Sequence, residues 1–234
     1  MTLVQEWILS SRTVDFICIL YSGPNMEALD TTTPFSTIDP MISKRLQSVH
    51  EALEFGNWQS IVDNDHMLRE RLIQQGVEQP EKRDSIKWDD ANLFFLSCVE
   101  LSKDGLPAPL EAGLSKEKFG RFPYGDGSSI SYLQDWMREN KRSEGFTEMC
   151  ELLDNLCSRL VETEKQNGIG GLNLQGWLTI EEVKELKNHL TSRCWLPSAE
   201  EPLDGGCRDA AKHFVAMLRA AEKRKCGVLL RIHH

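Results

Sequence analysis

Thr179-Ile180-Glu181-Glu182-Val183-Lys184-Glu185-Leu186-Lys187-Asn188-His189-Leu190 opens the stretch on which the reading of this fold turns, and Gly227-Val228-Leu229-Leu230-Arg231-Ile232 closes it. Thr179 and Glu182 stand in the T-x-x-E spacing of a capping box, in which each side chain satisfies a backbone N–H left open in the first turn. Ile180, Val183, Leu186 and Leu190 recur at helical spacing, so one face of this helix is apolar. It ends near Arg193, because Trp195-Leu196-Pro197 and the Pro202 to Gly206 loop cannot continue it. A second helix follows over Arg208 to Lys225, with Ala210, Phe214, Met217 and Ala221 on one line and Ala211, Val215 and Leu218 beside it. That stripe is wide enough to need two neighbours, and Lys223, Arg224 and Lys225 complement the dipole at its end. The run Val228 to Ile232, behind a glycine, reads as a strand. Such a strand needs a partner for its backbone groups, so removing 207–234 is expected to destabilise the whole protein.

Working outward, the Lys87–Ser102 segment carries Trp88, Leu93, Phe94, Phe95, Leu96, Cys98, Val99 and Leu101, apolar on nearly every side of a helix. That pattern predicts a central helix. Asp39-Pro40 has the form of an N-cap followed by a first-turn proline, which predicts a helix with Ile42, Leu46, Val49 and Leu53 inward and a stop at Gly56. A shorter helix follows Asp63 or Asp65 and runs to Gln75. Residues 23–38 read as a polar, threonine-rich loop. Before it, the chain offers either one helix from Leu3 to Ser22 or a helix ending near Ser11 with a buried strand from Val14 to Tyr21. The unpaired C-terminal strand favours the second reading, with the chain ends meeting in a small sheet.

Residues 103–129 form the longest break, with five glycines, three prolines and several aromatic residues. Breaks of this length act as lids, linkers or binding loops. It offers a division of a single 1–234 domain into a front half (1–102) and a back half (130–234). Beyond it, Ser128 or Ser129 caps a helix over Ile130 to Asn140, and Ser143 caps the next. There Phe146, Met149, Leu153, Leu156 and Leu160 make an internal seam, broadened by Cys150 and Cys157, which ends in the Asn167–Gly171 turn. The expected fold class is therefore mainly α, a multi-helix globular fold around a central apolar helix, with a small sheet from the N- and C-terminal segments.

Composition narrows the function. At 234 residues, 40% hydrophobic and 27% charged, the chain is an ordinary globular sequence. Its net charge of −9 argues against a nucleic-acid partner, whose phosphates are met with Lys and Arg. Seven cysteines, widely spread and odd in number, suit a reducing compartment. The N-terminus lacks the pattern of a signal peptide, and Val14–Tyr21 is too short to cross a bilayer. The expectation is a cytoplasmic protein without a membrane partner.

Candidate chemistry is sparse. Asp63-Asn64-Asp65-His66 is acidic but lacks the glycine and glutamate of a calcium loop, and reads as a helix cap. The cysteines and histidines show no zinc spacing. No metal and no cofactor is expected. Tyr124-Gly125-Asp126-Gly127-Ser128-Ser129 precedes a helix, where free N–H groups can meet an anion, but no Lys-Ser/Thr follows. Asp126, Ser128 and Ser129 are the weak catalytic candidates. Cys207, at a helix start beside two glycines, is a further thiol to consider, with His213 too far along the helix to serve as its base. Packing signals outnumber reactive ones, which favours a non-enzymatic protein-binding or regulatory module whose acidic surface meets a protein partner, for example as the antagonist of a basic one. The alternative is a small hydrolase or transferase with its site under the 103–129 loop.

Overall fold

The computed structural model describes residues 35–103, 107–110 and 128–233. Their elements run in the order β1 (Phe35–Met41), α1 (Ser43–Phe55), α2 (Trp58–Asn64), α3 (His66–Gln74), α4 (Asp90–Cys98), α5 (Ser129–Trp136), β2 (Met137–Glu139), α6 (Phe146–Ser158), β3 (Asn167–Gly168), β4 (Leu172–Leu178), α7 (Ile180–Thr191), β5 (Trp195–Pro197), α8 (Gly206–Arg224) and β6 (Gly227–His233).

A four-stranded antiparallel sheet, in the order β1-β6-β4-β3, organises these elements. The fold is therefore mixed α and β and not mainly α. The correction has a physical root: two of the strands are disguised. In β1 the Asp39-Pro40 pair does not start a helix. Asp39 is fully buried opposite Leu229, and Pro40 lies in an edge strand, where its missing N–H costs nothing to the ladder. Helix α1 begins instead at Ser43, with Ile42 at its N-cap. In β4 the period-2 alternation is broken by a register shift between Leu174 and Gly176, which hides the strand from a pattern reading.

The C-terminal strand forms where expected, but its described partners are β1 and β4. The proposed partner, Val14–Tyr21, lies outside the described residues. Strand β6 alternates between two cores. Val228 and Leu230 join the side chains of α5, α6, α7 and α8, while Leu229 joins those of α1 to α4. Each core draws on residues both before and after the 103–129 break: Ile38 lies in the first, Leu160 and Trp177 in the second.

Local signals decide many of the boundaries. Thr179 and Glu182 form the complete capping box. Asp65 accepts from Leu68 N at 3.0 Å and caps α3, and Gly56 ends α1 in the left-handed region at φ 73°. Helix α4 is buried from Ala91 to Cys98, as its all-round apolar pattern predicts, although it lies against one face of the sheet and the sheet holds the centre. Other boundaries differ from expectation. Helix α5 stops at Trp136, because Met137 to Glu139 pair with Trp195 to Pro197 in a small ribbon. Helix α6 has Gly145, not Ser143, at its N-cap. Trp58 to Asn64 form a helix that the sequence reading left out. At Gly176 a Cβ would stand 2.2 Å from the Asn155 carbonyl oxygen and 2.5 Å from that of Leu156, so the absent side chain is what lets α6 cross the sheet this closely.

Candidate functional site

Two constellations of polar side chains stand out. The first lies where α5 meets the start of α8. Ser128 Oγ accepts from Ser131 N at 3.3 Å and caps α5. Ser129 is 2% exposed. Asp126 lies outside the described residues. One turn into α5, the Tyr132 hydroxyl donates to Glu201 Oε1 at 3.2 Å and accepts from Leu203 N at 3.3 Å. The same Glu201 oxygen accepts from Cys207 N. A carboxylate thus occupies the N-terminus of α8, where the helix dipole favours an anion.

That placement reverses the usual logic of a thiol at a helix start. Burial, followed by the Glu201 charge, pushes the Cys207 thiol up to about 12, so it is protonated at neutral pH. Burial pushes the Tyr132 phenol up to about 12 as well, with Glu201 adding to it. His213 is exposed on the far side of α8. The group therefore clasps the 198–205 loop to α5 and presents no activated nucleophile.

The second constellation joins α1, α4, α6, α7 and the turn after α6. The Arg159 guanidinium lies 4.1 Å over the Trp177 ring, donates to the Trp177 carbonyl at 2.9 Å and pairs with Glu182 at 2.7 Å. Burial works against the Glu182 anion, but the hydrogen bonds from Arg159 and from Thr179 N outweigh it and hold its carboxyl below the usual range. His50 packs edge-on to Phe94 and Trp177, with Nε2 3.3 Å from Glu54, and Lys165 Nζ reaches the same carboxylate at 3.8 Å. In the first turn of α1, Arg45 holds Asp65 through two hydrogen bonds of 2.6 and 2.9 Å, and Arg71 donates to the Leu96 and Val99 carbonyls at the end of α4.

The remaining sequence candidates are placed apart. Asp65 is taken up by Arg45, Asp63 faces Arg69 at 3.6 Å, and His66 lies beside Glu70. Cys194 Sγ donates to the His189 carbonyl at 3.4 Å. The described residues hold no group of three or more metal-type ligands. Burial raises the Cys150 and Cys226 thiols, the latter to about 11, and raises Cys98 further still. The indoles of Trp58 and Trp195 donate to the Pro80 and Leu190 carbonyls, the second at the end of α7, so both serve packing. Tyr132, Glu201, His50 and Arg159 carried no local signal. Tyr132 and Glu201 are 69 positions apart, and Arg159 and Glu182 are 23 apart, so only the fold brings each pair together.

Among the described residues no helix is long and apolar enough to cross a membrane. Comparison with protein-family models, with curated proteins and with solved structures finds no match.

Proposed function

We propose that the protein acts by binding a basic protein partner through its acidic surface, in the manner of an antagonist. One observation carries this reading: exposed carboxylates gather on one face of α6, while seven of the chain's cations are held in internal ion pairs. Arg45, Arg83, Arg159, Lys165, Lys187, Arg224 and Arg231 are each committed to an ion pair within the chain. The outer face of α6, by contrast, leaves Glu148, Glu151 and Asp154 exposed, with Glu144 ahead of them. A net charge of −9 so arranged steers a positively charged partner toward the surface and speeds encounter. The raised thiols and the capping serines support binding over catalysis. Free thiols at Cys98, Cys150, Cys194, Cys207 and Cys226 support a reducing, cytoplasmic setting.

The test is affinity capture from native lysate at low salt and at about 0.5 M salt, where exposed charges are screened within about 4–5 Å. The wild type is compared with a Glu148→Lys/Glu151→Lys variant of unchanged melting temperature. The expected result is a basic protein held in stoichiometric amount at low salt, released at high salt and weakened by the charge reversal. Capture indifferent to both salt and charge reversal overturns the reading. So does turnover of an ester or phosphate substrate that is lost on Asp126→Ala, which would favour the hydrolase or transferase instead.

A further inference from the structure

His50 is set apart from the other histidines by what surrounds it. It stands near the middle of α1 with its ring 6.3 Å from that of Phe94 on α4 and 6.0 Å from that of Trp177 on β4, edge-on to both. Its Nδ1 is buried and has no hydrogen-bond partner among the described residues, and the same holds for Trp177 Nε1. The charged groups that face it come from three elements. Glu51 and Glu54 lie on α1, Lys165 on the turn after α6, and Arg159 at the end of α6, itself paired with Glu182 of α7. Lys165 already shares Glu54, the one carboxylate within reach of the imidazole.

We propose that His50 is an acid-sensitive lock that holds the C-terminal half of α1 against the sheet. Neutral, the imidazole fills the space between the two aromatic rings, with its Nε2 3.3 Å from Glu54. Protonated, it becomes a further cation beside Lys165 and Arg159, and its Nδ1–H is a buried donor with nothing to accept it. Acid therefore favours a state in which α1 lifts and uncovers Phe94 and Trp177. Burial first, and then the nearness of Lys165, hold the imidazole below its usual 6.5, in keeping with that picture. The folded state thus binds the proton less readily than the unfolded chain. The stability His50 contributes is complete above about pH 6.5 and is lost as the pH falls from there toward the folded value.

Hydrogen exchange read by mass spectrometry at about pH 7.5 and 5.5, corrected for intrinsic rates, tests the lock. The expected result is a loss of protection at the lower pH in peptides covering 43–55 and 160–178, with 180–224 unchanged and His50→Gln showing no such pH dependence. A uniform loss, or the same loss in the variant, overturns it. If His50→Gln does not fold, the imidazole is titrated by NMR in the wild type. A midpoint below that of an unstructured histidine peptide supports the lock, and one at or above it refutes it.

Discussion

The two faces of the sheet are built differently. Under α5 to α8 the core is made of Leu, Ile, Val, Met, Phe, Ala and Cys side chains with Tyr132 at its edge. Under α1 to α4 the core is apolar as well, yet the four buried charged residues among those described, Asp39, Arg45, Lys165 and Arg231, all lie on that side. Asp39 and Arg231 pair diagonally across β1 and β6, two strand positions out of register, with the guanidinium 4.9 Å from the Phe95 ring. An apolar face accepts any side chain of suitable volume, whereas a buried ion pair accepts one register. A one-residue slip of β1 would carry Asp39 to the opposite, apolar face. One face supplies cohesion and the other supplies specificity.

The largest effect expected is on both faces at once. A chain ending before Cys207 loses α8 and β6, and β6 lies between β1 and β4 and contributes to both cores. We expect no cooperative melt from that chain; a melt with an unshifted midpoint would show that the faces are independent. Next comes the charged face alone. Asp39→Ala leaves Arg231 buried without its anion and should cost about 4 kcal/mol in denaturant unfolding. Adding Arg231→Met should restore much of it, since what costs most is a broken pair and not an absent one. Failure of the double variant to recover would mean that the pair supplies net stability.

On the apolar face the largest expected cost is steric. Gly176→Ala places a methyl against the backbone of α6, which cannot rotate away, and should cost about 3 kcal/mol. A cost under about 0.5 kcal/mol, the range of neutral surface changes, would mean that α6 rides more loosely than its contacts imply. Last, Thr179→Ala removes one half of the capping box of α7 and should cost about 1 kcal/mol, with no change in the acid response of α1.

The contrast between the faces also marks how far the sequence could be read. Thr179, Glu182, Val183, Leu186 and Leu190 speak to one another within three turns, so α7 was legible, and α8 and β6 were legible for the same reason. The all-round apolar run of α4 and the Asp65 cap were also local. The charged face was not legible, because its meaning lies in distant partners. Asp39-Pro40 carries a strong local helix-start signal, and only the ladder to β6, far along the chain, makes it a strand. In β4 the irregularity at Gln175 broke an alternation that would otherwise have announced it. The candidate site followed the same rule. Ser128 was recognisable as a cap from its own neighbours, while the Tyr132–Glu201–Cys207 clasp and the His50 surroundings are products of tertiary structure.

The position of β6 has a consequence for how the protein is made. Asp39 and Arg231 are separated by 192 positions, and the strand that joins β1 to β4 is the last element of the sheet to leave the ribosome. At roughly 5–20 residues per second, β1 waits on the order of ten seconds or more for its partner. During that interval both β1 and β4 offer unsatisfied edges, and the ring of Trp177 lacks its neighbour Leu229. Contacts this distant along the chain also make for slow closure once the last strand arrives. Until the middle of the sheet is delivered, those edges are open to pairing with other chains.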